Sequence, residues 1–99
     1  MPPLATDLDI DLFLDRNANW SRLGIFLRSE FTATSFLAAI ELVKSVAVIA
    51  ERMDHHPDID IRWNKVLFAL STHSAGGITS LDCELATAID SVARELSGS

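Results

Sequence analysis

Residues 33 to 53 read as one long helix, and an unusually apolar one. At 100° per residue, Phe36, Ala38, Ala39, Ile40, Leu42, Val43, Val46, Ala47, Ile49, Ala50 and Met53 cover an arc of roughly 200°. A surface helix of a monomer needs only about half of that. Leu37 and Val48 even interrupt the polar side formed by Glu41, Lys44, Ser45 and Arg52. A deeply buried helix is one solution. The whole chain has 99 residues, however, and so little material to wrap it. The surplus apolar face is therefore expected to meet another copy of the chain.

The remaining elements fall around this helix. Leu8, Leu12 and Phe13 lie at helical spacing between Asp7 and Asn17, with aspartates in the first turn to favour the dipole. Trp20 to Arg22 and Ile25 to Thr32 read as strands, with Gly24 between them as a hairpin turn. Thr32 or Thr34 stands where the long helix needs its cap. Asp58 to Trp63 and Lys65 to His73 read as two more strands. In the second, Val66, Phe68, Leu70 and Thr72 fall on one face, and Lys65, Leu67, Ala69, Ser71 and His73 on the other. Gly76-Gly77 breaks the chain. Thr79 then caps a last helix, with Asp82 three residues on as a short capping box and Ile78 and Cys83 at the staple positions. Leu85, Ile89, Val92 and Leu96 form its core stripe, and Gly98 ends it. The order is α-β-β-α-β-β-α. Two hairpins without parallel crossovers predict an α+β fold: a four-stranded antiparallel sheet with helices packed on one face, in two layers.

A single domain spanning residues 1–99 is expected, with residues 1–6 as a frayed tail. The chain is 48% apolar and 22% charged, which argues against disorder. The net charge of −6 repels phosphate, so neither direct nucleic-acid binding nor adhesion to anionic lipid is expected. No apolar run reaches the roughly 18 residues of a membrane span. Asp7, Asp9, Asp11 and Asp15 give the N-terminus the wrong charge for a secretory signal, so a cytoplasmic protein is expected. The one cysteine, Cys83, excludes an intrachain disulfide and reads as a small apolar residue on a helix.

All three histidines lie in two places. His55 and His56 follow the long helix within Asp54-His55-His56-Pro57, and Pro57 forces His56 out of the helical region. His73 ends a strand before the glycine turn. Three readings compete. In the first, the pair serves only the dipole at a helix C-terminus. Three imidazoles can hold a metal, although no HxH or glutamate-spaced pattern supports it. Or the histidines move protons without a cofactor, since imidazole titrates near pH 6.5 and both takes and gives a proton at working pH.

Two runs carry a resemblance. Ala50-Glu51-Arg52-Met53-Asp54-His55-His56-Pro57, followed by Trp63-Asn64-Lys65-Val66, is similar to the pterin-4a-carbinolamine dehydratases. So is Leu70-Ser71-Thr72-His73-Ser74-Ala75-Gly76-Gly77-Ile78-Thr79, with Asp82 after it. Weaker similarity reaches back through Phe36 and Phe26 to Trp20. Ile59 stands where animal members have tryptophan, and Trp63 where they have tyrosine.

The resemblance implies loss of water from a 4a-hydroxytetrahydropterin to give the quinonoid dihydropterin, in support of tetrahydrobiopterin recycling. The pterin is then substrate, and no cofactor or metal is implied. The family's catalytic histidines fall on His55, His56 and His73, with His55 and His73 as the proton-transferring pair and His56 orienting the ring. Asp54 matches the acidic residue beside the pair. Ser71, Thr72 and Ser74 flank His73 where the pterin edge would lie. Glu51 and Asp82 stand behind these as supporting carboxylates. Trp20 and Trp63 would wall the pocket by stacking, or else pack in the core. The resemblance also implies a homodimer or homotetramer through helix 33–53 and sheet edges. Its alternative is a non-catalytic module that dimerises transcription factors or helps other enzymes assemble.

Overall fold

The computed structural model describes residues 2–97. Three helices, α1 (Asp7–Arg16), α2 (Phe36–Met53) and α3 (Ser80–Leu96), and four strands, β1 (Ser21–Leu23), β2 (Phe26–Thr32), β3 (Asp58–Arg62) and β4 (Lys65–Leu70), follow the expected order. The strands form one antiparallel sheet in the order β1-β2-β4-β3.

The alternation along β4 decides which face is covered. Val66, Phe68 and Leu70 are fully buried, and Leu27 and Ser29 of β2 join them. Arg28, Glu30, Lys65 and Leu67 turn to the opposite face, Arg28 opposite Ala69 and Glu30 opposite Leu67. Onto the apolar face pack Ala39, Leu42 and Val46 of α2, Leu85, Ala86 and Ile89 of α3, and Ile10 of α1. These positions follow the three- and four-residue spacing of a helix stripe. Burying each large side chain contributes about 1.5–3 kcal/mol, so Phe68 and its neighbours dominate the layer contact. An edge-to-face run of rings, Trp20 on Phe31 at 6.2 Å and Phe31 on Phe68 at 5.7 Å, extends this core toward β1.

Several boundaries differ from the sequence reading. The N-cap of α2 is Ser35, whose hydroxyl accepts from the Ala38 N–H, and not Thr32 or Thr34. The second hairpin turns at Trp63-Asn64, with Trp63 at a positive φ of 52°. β4 ends at Leu70 and does not reach His73. Thr72 pairs instead with Gly77 across a tight turn, His73–Ala75 forms one turn of 3-10 helix, and Gly76 closes it at φ 76°. The alternating pattern runs on through Thr72, but the glycine lets the chain fold back first.

The expected frayed tail is also not what residues 2–6 form. Leu4 pairs with Thr79, the Ala5 N–H donates to Ile78 O at 2.9 Å, and Thr6 caps α1 in a capping box with Asp9. Backbone pairing ties this segment down where side-chain composition gave no sign of it. Met1 and Gly98 lie outside the described residues.

On α2 the burial is narrower than the 200° arc. Ala39, Leu42, Val46 and Ala50 are buried, and Ile40, Val43 and Ile49 are half-buried. Phe36, Leu37 and Val48 are exposed. No helix of the described residues is long and apolar enough to cross a membrane.

Candidate active site

The corner after α2 is shaped by three residues. Asp54 ends the helix in the left-handed region at φ 50°, a conformation that aspartate tolerates better than most side chains. The His55 N–H then returns to Ala50 O at 3.0 Å, satisfying a helix-end carbonyl in the manner of a Schellman turn. Pro57 keeps His56 extended and starts the run into β3. The result sends the two histidines in different directions: His55 is buried and His56 is exposed.

His55 meets a buried polar node. Its Nε2 lies 2.6 Å from Asp82 Oδ1, and Asp82 is fully buried. The other oxygen, Oδ2, accepts from the Thr79 N–H at 2.9 Å and from the Thr72 hydroxyl at 2.9 Å. Thr72 has one hydroxyl hydrogen, so in its 2.7 Å contact with Thr79 it is the Thr79 hydroxyl that donates. Asp82 thus does two things at once. It completes the capping box of α3, as the Thr79-Asp82 spacing predicts, and it faces His55.

Both carboxylate oxygens act as acceptors, which places the imidazole hydrogen on Nε2 and leaves Nδ1 bare in the neutral ring. Among the described residues two buried side-chain polar atoms lack a partner, Asn64 Oδ1 and Ser71 Oγ. His55 Nδ1 is not one of them and makes no hydrogen bond among the described residues, so it is the ring nitrogen left uncommitted.

His56 Nε2 lies 2.7 Å from Glu51 Oε1, with both side chains exposed. Glu51 is thereby a direct partner of His56 across one helix turn. Asp54 is exposed at the same corner. His73 sits on the 3-10 turn, exposed, with no side-chain hydrogen bond among the described residues. Ser74 is exposed beside it. Ser71 is 5% exposed and its hydroxyl is one of the two orphans. Such an orphan is rare enough in folded proteins to require a reason.

Thr72 lies in this node but is buried against Asp82 and Thr79, so its hydroxyl holds the scaffold and does not point to a ligand. The two tryptophans do not gather here. Trp20 is 3% exposed in the core, its indole N–H bonded to Asp90. Asp90 is eight residues along α3 from Asp82, about 12 Å at 1.5 Å per residue. Trp63 is 73% exposed at the far end of the β3–β4 hairpin. The length of β4 separates it from Thr72, roughly 20 Å at 3.3 Å per residue. Trp20 gives its ring to the core because an indole with one N–H is satisfied there by one carboxylate. Sequence reading missed Thr79 as a member of the node. The signal was present in its capping role, since a cap shares its carboxylate with whatever else touches it.

The chain matches the family model described as pterin 4 alpha carbinolamine dehydratase over residues 3–92. The chain belongs to this family. A Nocardia farcinica protein with a provisional pterin-4-alpha-carbinolamine dehydratase name is 52% identical over 92% of this chain and 96% of its own length. A crystal structure from Brucella melitensis, described as a transcriptional coactivator/pterin dehydratase, aligns with a TM-score of 0.87 at 27% identity, covering 91% of this chain and 98% of that one. A pterin dehydratase-like protein identified as a RuBisCO assembly factor in the alpha-carboxysome shares the fold, with a TM-score of 0.62 at 19% identity over 75% of this chain and 86% of that one. The dehydratase family is thus reached both from sequence and from fold.

Proposed function

We propose that this dehydratase-family chain removes water from a 4a-hydroxytetrahydropterin by histidine acid–base chemistry, and so supports recycling of tetrahydrobiopterin in the cytoplasm. The observation that carries the reading is the His55–Asp82 pair, which leaves one imidazole nitrogen bare at the site. The reaction breaks the C4a–O bond and the N5–H bond and forms the C4a=N5 double bond, with water as the other product. One group must take the N5 proton, and another must give a proton to the departing hydroxyl.

His55 Nδ1, with its hydrogen held on the other nitrogen, fits the acceptor. His73, free of side-chain bonds on its turn, fits the donor. His56, braced by Glu51, orients the ring with Asp54. General acid–base help of this kind contributes roughly 10²–10⁴-fold, and holding the ring in place adds to it. Neither proton transfer calls for a cofactor.

Stopped-flow absorbance with freshly made 4a-hydroxytetrahydropterin tests the reading. His55→Ala and His73→Ala are each expected to lower turnover at least about a hundredfold with the fold intact. Near wild-type rates in both would end the proposal. Activity is expected to survive a chelator.

Exposed Phe36, Leu37 and Val48 on α2 support a second element of the reading, association with copies of the same chain as a dimer or tetramer. The sheet edges β1 and β3 offer further pairing. Val48→Glu is expected to lower the sedimenting mass at micromolar concentration while leaving histidine chemistry in place. The same face favours the alternative of a coactivator or assembly module, the roles named for the two solved neighbours. A wild-type chain that sediments as a monomer and lacks dehydratase turnover would favour that alternative.

A further inference from the structure

We infer that Leu4 and Ala5 are positioning residues: they form a strap that holds the turn carrying His73. His73 makes no side-chain hydrogen bond among the described residues, so its place is set by its backbone. That backbone is a closed loop. The Thr72 N–H donates to Gly77 O at 2.8 Å, and Thr72 O receives the N–H groups of Ala75 at 3.0 Å, Gly76 at 2.9 Å and Gly77 at 3.3 Å. The His73–Ala75 turn therefore hangs between Thr72 and Gly77.

The Thr72 side is fixed by β4 and by its bond to Asp82. On the other side, Leu4 pairs with Thr79 and the Ala5 N–H donates to Ile78 O. The Leu4 side chain lies over Gly77, where a Cβ would come within 3.1 Å of Leu4 Cδ2. Leu4 is 55% exposed, so it covers this glycine from the surface. The strap is anchored in turn. Thr6 caps α1 in a reciprocal pair with Asp9, and Ile10 one turn on is buried. A half-exposed leucine and one backbone hydrogen bond thus join α1 to the loop that locates His73.

The kinetic consequence rests on the dehydratase reading, whereas the ordering of the turn does not. Three variants separate the two. Ala5→Pro removes the N–H that reaches Ile78, Ala5→Ser keeps it, and Leu4→Ala removes the cover from Gly77. In Ala5→Pro the amides of Thr72, Ala75, Gly76 and Gly77 are expected to exchange with solvent at least about tenfold faster, with the Leu42 and Val46 amides unchanged. Turnover (kcat) is expected to fall about tenfold while KM moves less than about twofold, because only the His73 side of the site is loosened. Ala5→Ser is expected to restore both.

Turn amides that exchange at the wild-type rate in a folded Ala5→Pro chain would overturn the inference. So would an Ala5→Ser variant as impaired as Ala5→Pro. If Ala5→Pro speeds exchange everywhere alike, Leu4→Ala decides by the same comparison of turn against α2. If the wild-type chain lacks dehydratase turnover, the dehydratase reading fails and exchange alone decides the strap.

Discussion

Asp82 and Asp90 stand eight residues apart on α3, and each receives a ring nitrogen from a distant part of the chain. Asp82 receives His55 Nε2 at 2.6 Å, and Asp90 receives Trp20 Nε1 at 3.1 Å. The bonds are alike in kind, but the rings are not. An indole has a single N–H and no acceptor, so once bonded it has nothing left to offer. An imidazole has a second nitrogen, and fixing one decides the state of the other. Asp90 therefore anchors a core ring, with Asn19 also donating to it at 2.8 Å. Asp82 orients a ring that remains chemically available. Burial separates them further, since Asp82 is fully buried and Asp90 is half-buried.

The largest expected difference comes from deleting each carboxylate. Asp82→Ala leaves His55, Thr72 and the Thr79 N–H without their shared acceptor. Each orphaned buried group costs about 1–3 kcal/mol, so a loss of about 3 kcal/mol or more is expected, with turnover down at least about a hundredfold. Asp90→Ala strips Trp20 and Asn19 of one partnership near the surface. There a loss of about 1–2 kcal/mol is expected, with turnover near wild type. Thermal unfolding followed by stopped-flow on both variants checks the contrast. Equal effects on turnover would mean that α3 matters only as scaffold.

A sharper test keeps the shape and changes the chemistry. Asp82→Asn can still accept from Thr79, but it presents either a donor or a weaker acceptor to His55. The hydrogen is then no longer held on Nε2. Stability is expected to fall by about 1 kcal/mol, a few degrees in a domain of this size, and turnover by roughly 10- to 100-fold. Nitrogen NMR of the His55 ring should show the population shift between Nδ1–H and Nε2–H forms. Asp90→Asn is expected to leave that signal and the turnover unchanged.

The contrast between the two aspartates also explains what the sequence disclosed. Thr79 and Asp82 stood at capping spacing, so the start of α3 was legible from local chemistry alone. The corner at Asp54-His55-His56-Pro57 was legible for the same reason, because proline restricts the residue before it. The antiparallel sheet followed from alternation and from Gly24. What local chemistry does not carry is the partner across the fold. Nothing near Trp20 announces Asp90, and nothing near Trp63 places it at the far end of a hairpin. Both aromatics therefore read either as pocket walls or as packing, with packing the default. His73 was misplaced onto a strand because the alternation continues through Thr72, while the Thr72–Gly77 pairing that ends the strand is a backbone event. The Leu4–Ala5 pairing with Ile78–Thr79 was invisible for that reason too. Backbone hydrogen bonds are available to almost any residue and leave little trace in side-chain identity.

The smallest expected effect asks how far the influence of Asp82 extends along its own helix. Burial pushes the Cys83 thiol above the ordinary thiol range, and the carboxylates of Asp82, Asp9 and Glu84 add to it in the same direction. A raised thiol stays protonated in the folded chain after the unfolded chain has begun to ionise. Its contribution to stability is therefore complete at neutral pH and is lost as pH rises through the ordinary thiol range and beyond. In the native protein at pH 8 the thiol is expected to react with a disulfide reagent more slowly than in the unfolded chain, because only the thiolate attacks. Asp82→Asn removes one of the three charges but leaves the burial, which is the leading cause. Labelling of the folded variant is therefore expected to speed up by less than about tenfold, and Asp90→Asn should not change it. A Cys83 that labels at the unfolded rate in the wild-type protein would show that the start of α3 opens freely, and the contrast between a rigid orienting end and a simple anchoring end would fail with it.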